Sequence, residues 1–252
     1  MAQIPAFFAT AITTTALTFA FVTWLLIHFA IKKVVPKEKQ LKYSGIVFFS
    51  LAVWFSLIYV PGKYGVFAQN PLVAPFIMLG FILLLAVLQK VYASKTAQHV
   101  MLSVPQHWLI GIQTYRVVGY SFLTLAALGF LPKLFAYSAG YGDMLVGLLA
   151  PIIALLIYFK KDRSFVKKAA IAWNIIGILD LVVAIGIGIV GFPRPIQTIP
   201  LSPSTEQLSL FPLVFIPLFV VPLAIMLHLF SWRGLRDTVK LKKHKMDALR
   251  SS

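Results

Sequence analysis

Long apolar runs separated by short polar stretches dominate this chain. The runs are continuous and lack the strict alternation of apolar and polar positions that transmembrane β-strands show. Each is long enough for a helix to cross a hydrocarbon core of roughly 30 Å, and a helix satisfies its own backbone there. We therefore predict an all-α membrane protein, a single bundle of seven transmembrane helices at 7–31, 43–60, 70–89, 109–131, 141–159, 169–191 and 208–230.

The basic residues fall almost entirely on one side of these predicted spans. Of the 23 Lys and Arg residues, 19 follow the first, third, fifth or seventh span. The positive-inside rule then places the N-terminus outside and the C-terminus in the cytoplasm. We predict a seven-helix transmembrane domain at 1–232 and a basic cytoplasmic tail at 233–252. The tail is expected to lie against the anionic headgroups of membrane lipid.

Composition narrows the class of protein further. Of the 252 residues, 60% are hydrophobic, 12% are charged and none is cysteine. The lack of cysteine excludes thiol catalysis, disulfides and Cys-ligated metals. The first apolar run has no basic residue before it and is too long for a signal peptide, so it is expected to remain as a span. The net charge of +16 is mostly a topology signal, and no nucleic acid partner is expected. We expect an integral protein of the bacterial inner (plasma) membrane.

Asp180 is the polar residue that most requires an explanation. It lies in the middle of the sixth predicted span, where a charge costs on the order of 2.5–3.5 kcal/mol. Gly177 and Ala184 share its helical face, so we expect it to face a tightly packed interior. Tyr120 and Ser121 of the fourth span lie at a similar depth and are candidate hydrogen-bond partners. Two interpretations stay open: an acid that only holds helices together, or a proton, cation or substrate site.

Arg116 is the other charge within a predicted span. With Gln113 and Tyr120 it occupies one face of the fourth span, at the i, i+3 and i+7 spacing of an α-helix. Its side chain either extends back to the cytoplasmic headgroups or faces inward, where Asn174 of the sixth span would hold it.

Asp143 opens the fifth predicted span, where an acid caps a helix and favours its dipole. Gly140 precedes it by three residues, as Gly177 precedes Asp180. Because the fifth and sixth spans run in opposite directions, this likeness is compatible with an inverted repeat.

Two further patterns concern the last span and the first. Pro217 and Pro222 interrupt the seventh span and free the carbonyls of Leu213 and Leu218, so the helix either lines a cavity or bends. A stripe of threonines at 10, 14 and 18 on the first span is expected to be a packing seam.

Histidines provide candidate cofactor ligands. His28 and His228 lie at matching depths on the first and last spans, and His107 begins the fourth. Two imidazoles at one level could bind haem b axially, and a single one could bind the magnesium of a chlorin pigment. The alternative is that these histidines bond headgroups or helix-end carbonyls.

The sequence is consistent with three functions. The first is a small-solute or proton-linked carrier built around Asp180, Arg116 and Asn174. The second is a haem- or pigment-binding redox protein that uses His28 and His228. The third is a non-catalytic subunit or scaffold whose partners are other membrane subunits. An intramembrane enzyme is not favoured, because no Ser/His pair or paired acids stand at catalytic spacing within one segment.

Overall fold

The computed structural model describes residues 4–67, 73–160, 163–193 and 198–251, with side chains described outside 73–80 and 237–251. These residues form helices and no strands, which confirms the all-α prediction. The elements are α1 (Ala6–Val34), α2 (Lys37–Lys63), α3 (Val73–Ala93), α4 (Lys95–Leu102), α5 (Gln106–Gly111), a 3₁₀-helix (Ile112–Gly119), α6 (Tyr120–Ala127), α7 (Lys133–Lys160), α8 (Ser164–Val190), a second 3₁₀-helix (Thr205–Ser209), a π-helix (Ile216–Val220) and α9 (Val221–Ser251).

Several of these helices are suited to a membrane. Within the described residues, five are long and apolar enough to cross one: Ala6–Val34, Lys37–Lys63, Lys133–Lys160, Ser164–Val190 and Ile216–Arg236. They overlap the first, second, fifth, sixth and seventh predicted spans, with differences of up to eight residues at the ends. The third predicted span falls on α3, and its residues 70–72 lie outside the described residues. The fourth is divided among α5, the first 3₁₀-helix and α6. The protein is therefore a helical membrane protein.

Proline sets the sharp turn between α1 and α2. Val35 is extended, as the residue before a proline tends to be, and Pro36 then precedes the first turn of α2. The side-chain amide of Gln40 donates to the carbonyls of Val35 at 2.8 Å and Lys32 at 3.2 Å. These bonds satisfy carbonyls at the end of α1, so the two helices form a closed antiparallel hairpin.

Glycine lets α7 pack directly against the backbone of the first 3₁₀-helix. A Cβ atom built at Gly147 would lie 2.5 Å from the amide nitrogen of Val117. One built at Gly119 would lie 2.5 Å from the Cβ of Asp143. Neither position has room for a side chain, and close backbone approach of this kind is a structural use of glycine.

The last span is interrupted as its prolines predict. It begins with the π-helix Ile216–Val220 and becomes an α-helix only at α9. The carbonyl of Leu213 accepts a hydrogen bond from the amide of Ile216 at 2.9 Å. The carbonyl of Leu218 accepts one from Nε1 of Trp54, on α2, at 2.8 Å. Both carbonyls that proline was expected to free therefore have donors.

Aromatic side chains pack α2 against this irregular segment. The ring centroids of Trp54 and Phe219 are 4.6 Å apart, and those of Phe55 and Phe215 are 4.7 Å apart. Phe215 and Phe219 are fully buried, so the interrupted backbone lies inside the bundle. At the other end, the predicted domain boundary at 232/233 falls within α9, whose backbone continues as one helix to Ser251.

Candidate functional site

The guanidinium of Arg116 is the centre of the polar groups inside the bundle. Arg116 lies in the 3₁₀-helix Ile112–Gly119, and its side chain is only 1% exposed. The alternative in which it extends to the headgroups is therefore wrong. The side chain faces inward, where hydrogen-bond partners from neighbouring helices surround it.

Two carboxylates from two helices bind this one guanidinium. Nε of Arg116 donates to Oδ1 of Asp143, on α7, at 2.7 Å, and Nη2 donates to Oδ2 of Asp180, on α8. The side chains of Asp143 and Asp180 keep 18% and 12% of their surface exposed. The carboxylates thus retain some access to their surroundings, whereas the cation between them has almost none.

The interpretation of Asp143 as a helix cap is wrong. The helix that contains it begins at Lys133, ten residues earlier, so Asp143 lies within α7. An interior position directs its side chain at the neighbouring 3₁₀-helix, where it binds Arg116.

His228 completes the set of groups around the guanidinium. Nη1 of Arg116 donates to the carbonyl of Gly177 at 3.2 Å and lies 3.1 Å from Nε2 of His228. Arginine can only donate, so Nε2 must accept and the proton of a neutral imidazole lies on Nδ1. That Nδ1 lies 3.0 Å from Oδ1 of Asn174 and donates to it. Asn174 therefore holds Arg116 through His228, and the predicted direct contact is wrong.

The hydrogen bonds continue from Asn174 toward the start of α5. Nδ2 of Asn174 donates to Oγ of Ser231 at 3.1 Å, and this hydroxyl donates to Oε1 of Gln106 at 3.0 Å. From Arg116 to Gln106, each group donates to the next in the same direction. Such chains polarise and strengthen their members. This one joins the 3₁₀-helix, α5, α8 and α9.

Glycine makes room for the charged groups. A Cβ atom at Gly142 would overlap the carboxylate of Asp180, and one at Gly177 would overlap the imidazole of His228. Each of the two Gly-x-x-Asp segments, 140–143 and 177–180, supplies one carboxylate to this guanidinium. Their origin in an inverted repeat stays a prediction.

The other two residues predicted to share a helical face with Arg116 differ in burial. Gln113 is fully buried, and its Nε2 donates to the carbonyl of Ala224 at 3.3 Å. Tyr120 is 44% exposed, and the predicted bond from Tyr120 to Asp180 is wrong. The cause is the 3₁₀ geometry, which has about three residues per turn. Arg116, three positions after Gln113, therefore returns to the same face, whereas Tyr120, four positions after Arg116, does not. Ser121, the next residue, is buried instead.

The candidate cofactor histidines lie in separate surroundings. Nδ1 of His28 is 2.7 Å from Oγ of Ser44, and the ring of His107 packs against Tyr158 with centroids 5.0 Å apart. Both ring nitrogens of His228 already have side-chain partners. Iron ligation by His228 would displace one of these partners, so the haem hypothesis stays a prediction that requires rearrangement.

A small cavity adjoins the charged centre. Its volume is about 50 Å³, and its walls include Arg116, Asp143 and Ser121 together with Ile216 and Val220 of the π-helix. Two non-α segments, the 3₁₀-helix and the π-helix, therefore border the same space beside a buried ion pair. Among the residues that the structure describes, no three His, Asp or Glu side chains form a metal-binding group.

No curated protein and no solved structure matches the chain. The model of one family, Domain of unknown function (DUF8737), matches residues 73–236. This segment contains the whole Arg116 centre and the chain of hydrogen bonds to Gln106, and it begins after α2. Because the match covers more than half of the sequence, the protein belongs to the DUF8737 family.

Proposed function

We propose that the protein is a proton-linked carrier for a small solute, with its coupling site at Arg116, Asp143 and Asp180. The observation that carries the proposal is that two carboxylates share one guanidinium. With all three groups ionised, the centre has one net negative charge. A net charge in a hydrocarbon environment costs at least about 2.5–3.5 kcal/mol. One bound proton neutralises the centre, so protonation removes the cost of holding a net charge in an apolar environment.

The depth of the two carboxylates supports this role. Asp143 lies ten residues from the beginning of α7 at Lys133, and Asp180 lies ten residues from the end of α8 at Val190. At about 1.5 Å per residue, each carboxylate is about 15 Å from that end of its helix. In a core roughly 30 Å thick, this depth corresponds to the midplane, where transporters bind coupling ions.

The two irregular helices beside the cavity support a conformational step. Arg116 is carried by a 3₁₀-helix, and the facing π-helix begins the last span. Non-α backbone within a membrane protein is tolerated where it lines a cavity, and it often marks a place where helices rearrange. Gain or loss of a proton at the centre changes the charge balance between these two segments.

The proposed carrier has seven crossings. The two that join the five membrane-length helices are α3 and the composite segment Gln106–Ala127. With the N-terminus outside, the basic segments lie in the cytoplasm and the tail lies against anionic lipid of a bacterial inner membrane. Because the chain has no cysteine, a single cysteine placed at either end reports its side by labelling with an impermeant reagent. Reaction of a cysteine near the N-terminus from the cytoplasmic side would contradict this topology.

The carrier proposal is tested with Asp180→Asn in proteoliposomes that contain a pH-sensitive dye. Proton flux is measured under an imposed pH gradient, with and without mixtures of small polar solutes outside. The variant leaves Arg116 paired one-to-one with Asp143, so the centre is neutral without a proton and we expect the flux to be lost. The control Glu38→Gln removes an exposed carboxylate at the start of α2 and should leave the flux unchanged. Flux that is unchanged in Asp180→Asn, or absent in the original protein, would refute the carrier.

The two other functions remain as predictions with their own tests. A Soret band in the purified protein that disappears in His28→Ala or His228→Ala would favour the redox protein. Stable co-purification with a fixed partner, without a cofactor or proton flux, would favour the non-catalytic subunit.

A further inference from the structure

The cavity beside Asp143 has polar groups that the chain leaves unused. Ser121 lines it and is only 4% exposed, and Thr15 of α1 lines it as well. Within the part of the chain that the structure describes, neither hydroxyl forms a hydrogen bond with a protein group. Thr15 is half-buried. A hydroxyl that lines a small cavity without a protein partner is commonly satisfied by a bound water or ion.

Asp143 presents a free oxygen to the same region. Its Oδ1 accepts from Arg116, whereas its Oδ2 has no hydrogen-bond partner among the described residues. A carboxylate oxygen and two hydroxyl oxygens are hard ligands, which suit alkali and alkaline-earth cations better than transition metals. Backbone carbonyls of irregular helix segments commonly complete cation sites in membrane transporters.

A larger groove on the surface of the bundle adjoins this cavity. It has a volume of about 590 Å³ and lies between α1 and the 3₁₀-helix. Thr15, Tyr115 and Val118 line both spaces, so the groove and the cavity share a wall. Its other polar lining residues are Thr10, Thr14, Thr18 and Tyr120.

The threonine stripe lines this groove. The three threonines at 10, 14 and 18 are exposed, so the expected packing seam is not formed within the described chain. Thr10 donates to the carbonyl of Ala6 in its own preceding turn, at 3.1 Å. The stripe occupies the half of α1 that precedes Thr23, which is the outer half in the proposed topology. The groove therefore provides hydroxyl groups from the outer side to the wall that it shares with the cavity.

The charge balance of the centre selects the ligand. One guanidinium and two carboxylates leave one negative charge, which one monovalent cation neutralises and a divalent cation reverses. A volume of about 50 Å³ admits a few water-sized particles. We propose that this cavity binds a single sodium ion through Asp143, Ser121 and Thr15, admitted along the threonine-lined groove. The inference rests on the proposed carrier in one respect: sodium and the coupling proton occupy the centre alternately, because either one alone makes it neutral.

Binding is tested on the purified full-length protein in detergent, in a choline chloride buffer. Titration with NaCl is followed by calorimetry and, in weak buffer, by the release of protons. We expect one saturable site, release of about one proton per sodium where the centre begins protonated, and an apparent dissociation constant that rises up to about tenfold for each unit of falling pH. Choline should give no signal, and potassium a weaker one.

Variants identify the ligands in the same experiment. Asp143→Asn should abolish the saturable signal, whereas Ser121→Ala and Thr15→Val should each weaken binding by roughly five- to tenfold. The control Thr23→Val removes a buried hydroxyl elsewhere on α1, which donates to the carbonyl of Phe19 at 2.7 Å, and should leave the affinity unchanged. A sodium isotherm that is absent from the original protein, or unaffected by both Ser121→Ala and Thr15→Val, would overturn the site.

The entry path is tested by cysteine accessibility, for which the cysteine-free chain gives no background. Thr14→Cys and Thr18→Cys lie in the groove, while Leu17→Cys is a control that is 55% exposed on the same helix but outside the groove. A cationic impermeant thiol reagent should modify the groove positions from the outer side, more slowly when sodium is present, and should not modify the control. Equal reaction at all three positions, or none in the groove, would refute the path.

The outcomes separate this inference from the proposed carrier. Sodium binding that depends on Asp143, without proton flux in vesicles, would keep the cation site and refute the carrier. Proton flux that depends on Asp180, without a sodium isotherm, would keep the carrier and refute the sodium site.

Discussion

The second helix and the last span are equally apolar, yet they occupy opposite environments. The 18-residue apolar stretches within Lys37–Lys63 and Ile216–Arg236 have mean hydropathies of 1.8 and 1.7, but 11% of the first stretch is buried inside the protein and 67% of the second. The last span contains an interrupted backbone and the buried groups His228 and Ser231, all of which need partners. In a membrane, apolar composition predicts that a helix enters the bilayer, whereas unsatisfied polar groups determine which helix lies in the middle.

The same contrast separates the hairpin of α1 and α2 from the remainder of the chain. The family match begins at residue 73, and every group around Arg116 lies within it. The hairpin supplies Trp54 as a hydrogen-bond donor to the interrupted span. It also supplies Thr15 to the wall of the cavity. It therefore supports and borders the charged centre without supplying a charge to it.

The largest expected effect is loss of the guanidinium. Arg116→Ala leaves two carboxylates and Nε2 of His228 without their shared donor. Removing one partner of a buried charged pair costs about 3–5 kcal/mol, so we expect the thermal unfolding temperature in detergent to fall sharply. The loss should be smaller at pH 5 than at pH 8, because protonation of both carboxylates at low pH removes the uncompensated charge.

A surface arginine provides the matched control. Arg163 precedes α8 and is exposed, so Arg163→Ala should change the free energy of unfolding by well under 1 kcal/mol. Arg116→Lys should restore the charge but only part of the stability, because an ammonium cannot reproduce the planar fork. Equal effects of the two Ala substitutions would contradict the central role of Arg116.

Much of the fold and part of the membership of the site follow from the sequence. Continuous apolar runs predict membrane helices because hydrocarbon leaves few backbone alternatives. Arg116, Asp143, Asp180 and Asn174 stand out for a related reason: each is a polar group in or beside an apolar run, so each needs a partner. His228, by contrast, is predicted from the sequence as a cofactor ligand and not as part of this centre. The structure gives each of the five a partner among the others.

The pairing itself depends on features that hydropathy does not show. Asp143 binds Arg116 because α7 begins at Lys133, within the stretch that the predicted fourth and fifth spans leave between them. Tyr120 faces outward because the backbone before it is a 3₁₀-helix, and the periodicity of an α-helix assigns it to the wrong face. The only local signals are Gly111 and Gly119 at the ends of that segment, and glycine at two positions does not specify a helix type.

Glycine-to-alanine substitutions compare the packing around the charged centre with that of α2, and their expected effects on stability are intermediate in size. At Gly142 of α7 an added Cβ would overlap the carboxylate of Asp180, whereas at Gly45 of α2 it would meet nothing within 4 Å. Gly142→Ala should therefore destabilise the protein by about 1–3 kcal/mol through overpacking. Gly45→Ala should stabilise it by about 0.5–1 kcal/mol, because alanine favours a helix. The measurement is the midpoint of thermal unfolding, and a shift of the same sign in both variants would show that the two regions tolerate added volume alike.

The smallest effect concerns the contact that joins the two regions. Trp54→Phe keeps an aromatic ring against Phe219 but removes the donor to the carbonyl of Leu218, at a cost of about 1–2 kcal/mol. Pro222 removes the amide that would donate to this carbonyl from four residues further along the chain in an α-helix. In a Pro222→Ala background, the new amide donates to Leu218, so Trp54→Phe should cost at least about 0.5 kcal/mol less there. A double-mutant cycle on the free energy of unfolding measures this coupling. If the cost is the same in both backgrounds, α2 contributes packing alone, and the interrupted span does not depend on its hydrogen bond.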